Sequence, residues 1–206
     1  MERALVVYCH PQEGSFNAAI RDLVVAELSR AGIAYRLRDL YADGFDPVMS
    51  ARELAQYYQI PENRAPVQRD CDDILWCDSL IFVYPTWWYG LPALLKGWLD
   101  RTLLPDVAFI MPRTDGENIL PGLTHITKLG VYTTCGASWW LTRFIGAPGR
   151  RTLMRGLRLI LARKCKTSFA AHYLMDSSTP DSRRKHLGTV RRRLRKLIET
   201  PAPLAG

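Results

Sequence analysis

Residues 79–103 read SLIFVYPTWWYGLPALLKGWLDRTL, and this stretch decides the fold. Ser79 to Tyr84 is an apolar run without alternation, the pattern of a strand covered on both faces. Pro85 is expected to end it. Three rings, Trp87, Trp88 and Tyr89, then fall between two prolines. A helix opens with Pro92 in its first turn and carries one apolar stripe through Leu94, Leu95, Trp98, Leu99 and Leu103. A strand buried on both sides that feeds a helix is one unit of a parallel sheet, since parallel neighbours need a crossover.

Working outward, the same grammar repeats. Residues 4–9 (ALVVYC) form a first apolar strand ending at His10-Pro11, followed by a helix over 15–31 that closes at Gly32. Residues 34–40 alternate like a half-buried strand, and Asp43-Gly44 and Asp46-Pro47 mark the loop after it. Short helices are expected over 50–59 and 67–76, separated by a turn at Pro61 to Pro66. Further strands follow at 129–133 and 167–173, and a basic helix over 182–198 closes the chain. Five strands with intervening helices fit a flavodoxin-like doubly wound parallel sheet in a three-layer α/β/α arrangement. Residues 1–199 are expected as one domain and 200–206 as a flexible tail.

Composition narrows the function classes. The chain has 206 residues, 48% hydrophobic and 23% charged, which suits one globular unit and argues against disorder. No run of about 18 apolar residues occurs and the first residues lack the pattern of a secretory signal, so a cytoplasmic protein is expected. Five cysteines without a C-x-x-C pair support neither a disulfide framework nor a metal site. The net charge of +8 is uneven: residues 1–142 hold 12 Lys/Arg against 17 Asp/Glu, whereas 143–206 hold 16 against 3. The basic third lacks aromatics interleaved among the cations of 183–196, which argues against nucleic acid.

In an open parallel sheet the ligand lies beyond the carboxyl ends of the strands, so the loops after the first, third and fourth strands carry the function. The first, HPQEGSFN (10–17), places Ser15 and Asn17 at a helix start. There they either cap the helix or add neutral donors to a phosphate drawn by the free N–H groups. His10 either bonds that phosphate or is satisfied by backbone. Neither G-x-G-x-x-G nor a P-loop is present. The second, PTWWYGLP (85–92), supplies flat walls for a flat ligand or packs under the next helix. The third, TTCGAS (133–138), offers small residues and close-lying backbone N–H groups. Together these describe a flavin site. Trp88, Tyr89 and Trp139 are the candidate walls of an acceptor pocket, and Cys135 reads as a small buried thiol.

The stretches VVYCHPQEGSFNAAI, DLYADGFDPVMS, CDSLIFVYPTWWYGLPALLKGWLDRTL and YTTCG resemble the flavodoxin-like NAD(P)H:quinone oxidoreductases, a family that includes bacterial potassium-efflux accessory proteins. The W-x-G-x-P-x-x-L-K-G-W pattern is the most specific part. The resemblance implies that His10, Ser15, Phe16 and Asn17 hold the flavin phosphate. It implies that Pro85, Thr86, Trp87, Trp88 and Tyr89 border the ring system, and that Thr133, Thr134, Cys135 and Gly136 grip its pyrimidine side. Asp106 falls near a position that approaches the adenine end of FAD, which favours FAD slightly over FMN. A homodimer is implied as well.

The implied activity is two-electron, ping-pong hydride transfer from NAD(P)H through flavin N5 to a quinone or similar flat acceptor. The chain departs from the family after Ala137: a second glycine is missing behind the paired threonines, and no histidine lies between His125 and His172 to act as a proton relay. Arg143, Arg150 or Arg151 are candidates for the 2′-phosphate of NADPH. Two other functions share these features. One is a flavodoxin-type one-electron carrier, and the other is a regulatory flavin-binding subunit that touches a membrane transporter.

Overall fold

A computed structural model describes residues 1–112, 114 and 116–201; the expected tail lies largely outside the described residues. Five parallel strands form the central sheet: β1 (Arg3–Tyr8), β2 (Ala34–Asp39), β3 (Ser79–Thr86), β6 (Lys128–Cys135) and β7 (Lys166–His172). Their order is β2-β1-β3-β6-β7, with the reversal between β1 and β3. β4 (Phe109–Ile110) and β5 (Leu120–Pro121) make a separate two-residue antiparallel pair that the sequence pattern did not announce.

Alternate residues of the central strands feed two cores. Ala4, Val6, Tyr8, Ile81, Val83 and Tyr132 face α1 (Phe16–Arg30) and α7 (Pro180–Glu199). Leu5, Val7, Phe82, Tyr84 and Val131 face the other way, against α3 (Gln68–Trp76), α4 (Ala93–Thr102) and the β6–β7 crossover. That crossover comprises α5 (Trp139–Phe144), α6 (Pro148–Arg151) and the irregular helical turns Thr152–Gly156 and Leu157–Ile160. Burial on both faces explains why β3 reads as an unalternating apolar run.

Several expectations need correction. β3 does not stop before Pro85 but continues to Thr86, pairing Pro85 with Thr134. The Val83 carbonyl accepts from Cys9 N–H, so Pro85 turns its missing donor toward the side where β1 has already ended. In β2 the buried position is Arg38, not Leu37, because Arg38 forks onto Asp70 at 2.7 and 3.2 Å. The helix expected over 50–59 is only α2 (Ala51–Ala55), held by a Ser50/Glu53 capping box, and none of its residues is buried. The turn at 61–66 is instead a 3-10 helix over Glu62–Val67.

The K-G-W of the long motif has a structural origin. A Cβ on Gly97 would lie 2.3 Å from the Pro47 carbonyl oxygen, so only glycine lets the 46–47 loop cross α4. Trp98 is fully buried and donates from Nε1 to Asp70 at 2.7 Å, the same carboxylate that Arg38 engages. Among the described residues no helix is long and apolar enough to cross a membrane.

Candidate functional site

A cleft of about 820 Å³ opens at the carboxyl edge of the sheet beside the β1/β3 switch point. It gathers the three loops singled out above: His10, Ser15, Phe16 and Asn17 from the first, Pro85 to Tyr89 from the second, Thr134 to Ala137 from the third. β3 and β6 end side by side at Thr86 and Cys135, three residues beyond the last β1 pair, Tyr8 with Val83, so the loops that follow converge at one edge.

The first wall is the start of α1. Ser15 caps it by accepting Ala18 N–H at 3.1 Å, and the first turn contains no acid. Asn17 is buried and donates from Nδ2 to Thr134 Oγ1 at 2.8 Å, joining the first loop to the third. Its Oδ1 is buried without a partner. Asn17 lines the cleft, and an orphaned amide oxygen within that wall fits a bound group that supplies a donor. His10 Nδ1 is held by the backbone of its own loop, 3.0 Å from the Gln12 nitrogen and 3.2 Å from the Gln12 carbonyl oxygen. Partial burial holds its pKa below the usual imidazole value. The wall is therefore a neutral set of donors with the positive end of a helix behind it.

The second wall is strained. Trp87 and Gly90 close a tight turn through Gly90 N–H to the Trp87 carbonyl at 2.9 Å. Its central residues Trp88 and Tyr89 have φ of 48° and 62°. A two-residue turn with both central φ positive normally takes Asn-Gly; bulky side chains cost about 1–2 kcal/mol each there. The strain presents the rings: Trp88 is 93% exposed, and its ring meets Tyr89 at 6.2 Å. The Tyr89 carbonyl accepts Gly149 N–H at 3.2 Å, tying the turn to α6.

The third wall is backbone. A Cβ on Gly136 would sit 2.9 Å from Asp176 Oδ2, so the 135–137 segment passes close beneath the Asp176 carboxylate. Cys135 is buried, its Sγ 3.6 Å from Thr142 Oγ1.

Not every expected residue reaches the cleft. Thr133 lies behind the wall, its hydroxyl shared with Thr86 at 2.9 Å. Trp139 is more than half exposed outside it, with Leu141 in the lining instead. Asp106 is held by Arg64 through its carboxylate and carbonyl and does not line the cleft, so the residue that favoured FAD is engaged elsewhere. Arg150 packs over the Phe169 ring at 5.0 Å, Arg143 over Trp139 at 6.0 Å, and Arg151 beside Gly146; none lines the cleft.

The cleft's guanidinium is that of Arg183 from the first turns of α7, and with Asp176 it is what the sequence reading missed. In sequence Arg183 is one cation in a basic run, and only α7's packing beside α1 singles it out. Among the described residues no cluster of His, Cys, Asp and Glu is arranged to hold a metal ion.

A family model described as the Flavodoxin-like fold matches residues 2–198. A ribosyldihydronicotinamide dehydrogenase [quinone] of Pongo abelii is 31% identical over 159 residues, covering 66% of this chain and 69% of its own. The chain belongs to the flavodoxin-like NAD(P)H:quinone oxidoreductase family. An uncharacterized NAD(P)H oxidoreductase of Haemophilus influenzae is 35% identical, covering 65% of this chain and 64% of that one. The solved NAD(P)H:quinone oxidoreductase from Methanothermobacter marburgensis superposes with a TM-score of 0.78 at 26% identity, covering 97% and 98% of the two chains. This quinone oxidoreductase family member is thus an oxidoreductase built on the flavodoxin-like fold.

Proposed function

We propose that the protein is a flavin-dependent NAD(P)H:quinone oxidoreductase that takes two electrons from a reduced nicotinamide and delivers them to a quinone or similar flat acceptor, with ping-pong kinetics. One observation carries the reading: a neutral donor wall with an orphaned Asn17 Oδ1 faces a strained turn that holds the Trp88 ring in the open beside the half-buried Tyr89. A flavin, when bound, supplies the two-electron chemistry that no side chain of the cleft supplies.

The chain's own residues bind and orient. His10 Nε2, Ser15 and the first N–H groups of α1 receive a phosphate, and Asn17 Oδ1 gains the donor it lacks. Pro85 to Tyr89 border the ring system, and the backbone of 134–137 meets its polar edge with N–H groups that stabilise negative charge developing there. Thr133 supports that edge from behind through Thr86. Arg183 receives a second anionic group, a role expected of Arg143, Arg150 or Arg151 from sequence. FMN and FAD both suit this arrangement. Trp88 and Tyr89 form the acceptor's wall, the protein is a homodimer, and the enzyme works in the cytoplasm.

The test is the visible spectrum of the purified protein, with the released chromophore run against FMN and FAD, then anaerobic addition of NADPH. Flavin bands that bleach without a one-electron intermediate are expected. A colourless protein that neither flavin reconstitutes overturns the assignment.

A further inference from the structure

α7 lies on the face of the sheet away from the β6–β7 crossover, packed against α1. It turns His186, Val190, Leu194 and Leu197 into the core. Helical spacing sets Gly188 on the opposite side, with ordinary helical backbone, and a Cβ built on it would meet no atom within 4 Å. Neither packing nor a turn therefore calls for glycine there. Glycine is the poorest helix former after proline, so in a helix of 20 residues this position works against the element that holds it.

The residues one turn to either side are all cations. Arg184 and Lys185 precede Gly188 by four and three positions, Arg191 and Arg192 follow by three and four, and all four are exposed. On a helix surface these are the neighbours of position 188. Arg191 and Arg195 of α7 and Arg30 of α1 converge on the buried Glu27 carboxylate at 2.7–3.2 Å, which fixes that edge of the patch. Arg184 meets Asp181 at 3.3 Å, whereas Lys185 and Arg192 have no acid partner among the described residues. Like charges four apart, such as Arg191 and Arg195, weaken the helix further. None of these residues lines the cleft.

A bare stretch of helix ringed by guanidinium and ammonium groups is a seat for phosphate. Arginine forks take its oxygens in pairs, and a floor without a Cβ lets the anion come close. We propose that the Gly188 hollow on α7 binds a small oligophosphate anion, with Arg184 and Lys185 holding one end and Arg191 and Arg192 the other. At 1.5 Å of rise per residue the two pairs start about 10 Å apart along the axis, and their long side chains close over the glycine on a chain of two or three phosphates. A single phosphate reaches one pair only. Free polyphosphate and the tail of a nucleoside triphosphate present the same group, and the repulsion among the cations is relieved by either.

The experiment is isothermal titration calorimetry of the full chain with inorganic tripolyphosphate, inorganic phosphate and ATP. Tripolyphosphate is expected to bind at least roughly tenfold more tightly than phosphate, since it engages both pairs. ATP binding as well as tripolyphosphate assigns the site to the phosphate chain alone, and tighter ATP binding assigns it to a nucleotide. Lys185→Gln with Arg192→Gln lowers tripolyphosphate affinity by roughly tenfold. Gly188→Gln raises Tm by about 2–4 °C through helix propensity, yet lowers affinity by roughly tenfold because its side chain fills the hollow. Arg183→Gln, in the cleft, changes it less than about threefold. Circular dichroism shows whether each variant folds. Absence of tripolyphosphate binding, a Gly188→Gln chain that gains Tm and keeps full affinity, or a loss from Arg183→Gln as large as that from the Lys185 and Arg192 pair overturns the proposal. So does binding of duplex DNA that tripolyphosphate does not displace, which assigns the cations to nucleic acid.

Discussion

Trp88 and Tyr89 occupy backbone positions that a polar or glycine residue would fill at lower energy, so the turn holds strain in exchange for a displayed Trp88 ring. Trp88→Asn is expected to raise Tm, by about 2–4 °C for a gain near 1 kcal/mol, because Asn tolerates the left-handed region and the lost ring packs on little. The same change is expected to raise KM for an aromatic acceptor by roughly fivefold, through loss of a stacking wall worth about 1 kcal/mol. Differential scanning calorimetry and steady-state kinetics read the two effects separately; a lower Tm would show that the ring is part of the fold. Asn17→Ala is expected to weaken flavin retention by roughly tenfold, read by fluorescence titration. The sequence pointed to both residues, since two adjacent tryptophans cannot share one core. The orphaned Oδ1 was out of reach, because it depends on Thr134 standing 117 positions away in sequence.

At the level of elements, the fold is fastened where helices meet across loops. Gly97→Ala forces a Cβ into the Pro47 backbone and is expected to cost about 1–3 kcal/mol, measured by denaturant unfolding. Glu27 of α1 is nearly buried and receives Arg195 of α7 at 2.7 and 3.0 Å and Arg30 at 3.0 and 3.2 Å, which lowers its pKa to about 2. Glu27→Gln is expected to lose roughly 1–3 kcal/mol at neutral pH and progressively less as pH falls from about 4.5 toward 2, where the native carboxylate takes up its proton and the variant has none to lose. Periodicity found α1, α4 and α7 and the five strands of the sheet, because burial of one face dictates their spacing. It failed for α2, which buries nothing, and for Arg38, whose burial rests on Asp70 and not on its own strand.

Across the whole molecule, acid acts through two groups in the same direction. His172 and His186 pack edge to face at 5.2 Å, both against Phe16, and burial beside other cations holds His186 near a pKa of about 4. Between about 4 and 6.5 the unfolded chain binds a proton there that the folded chain refuses, so stability falls as pH drops through that window. The Glu27 contribution is lost further down, between about 4.5 and 2. Urea midpoints measured across this range are expected to decline in two stages, and His186→Gln should flatten the upper one. The strand order and the cleft were legible because parallel connection rules leave few arrangements; the use of the basic third was not, since charge alone does not say which helix face carries it. One last property follows from burial of all five cysteines, with Cys9, Cys71 and Cys77 pushed up to about 12 and Cys165 to about 11. Burial shields every native thiol from a fluorophore, so Glu13→Cys on the exposed loop beside the cleft gives a uniquely addressable handle, and intact mass should show one maleimide per folded chain without any native cysteine being removed.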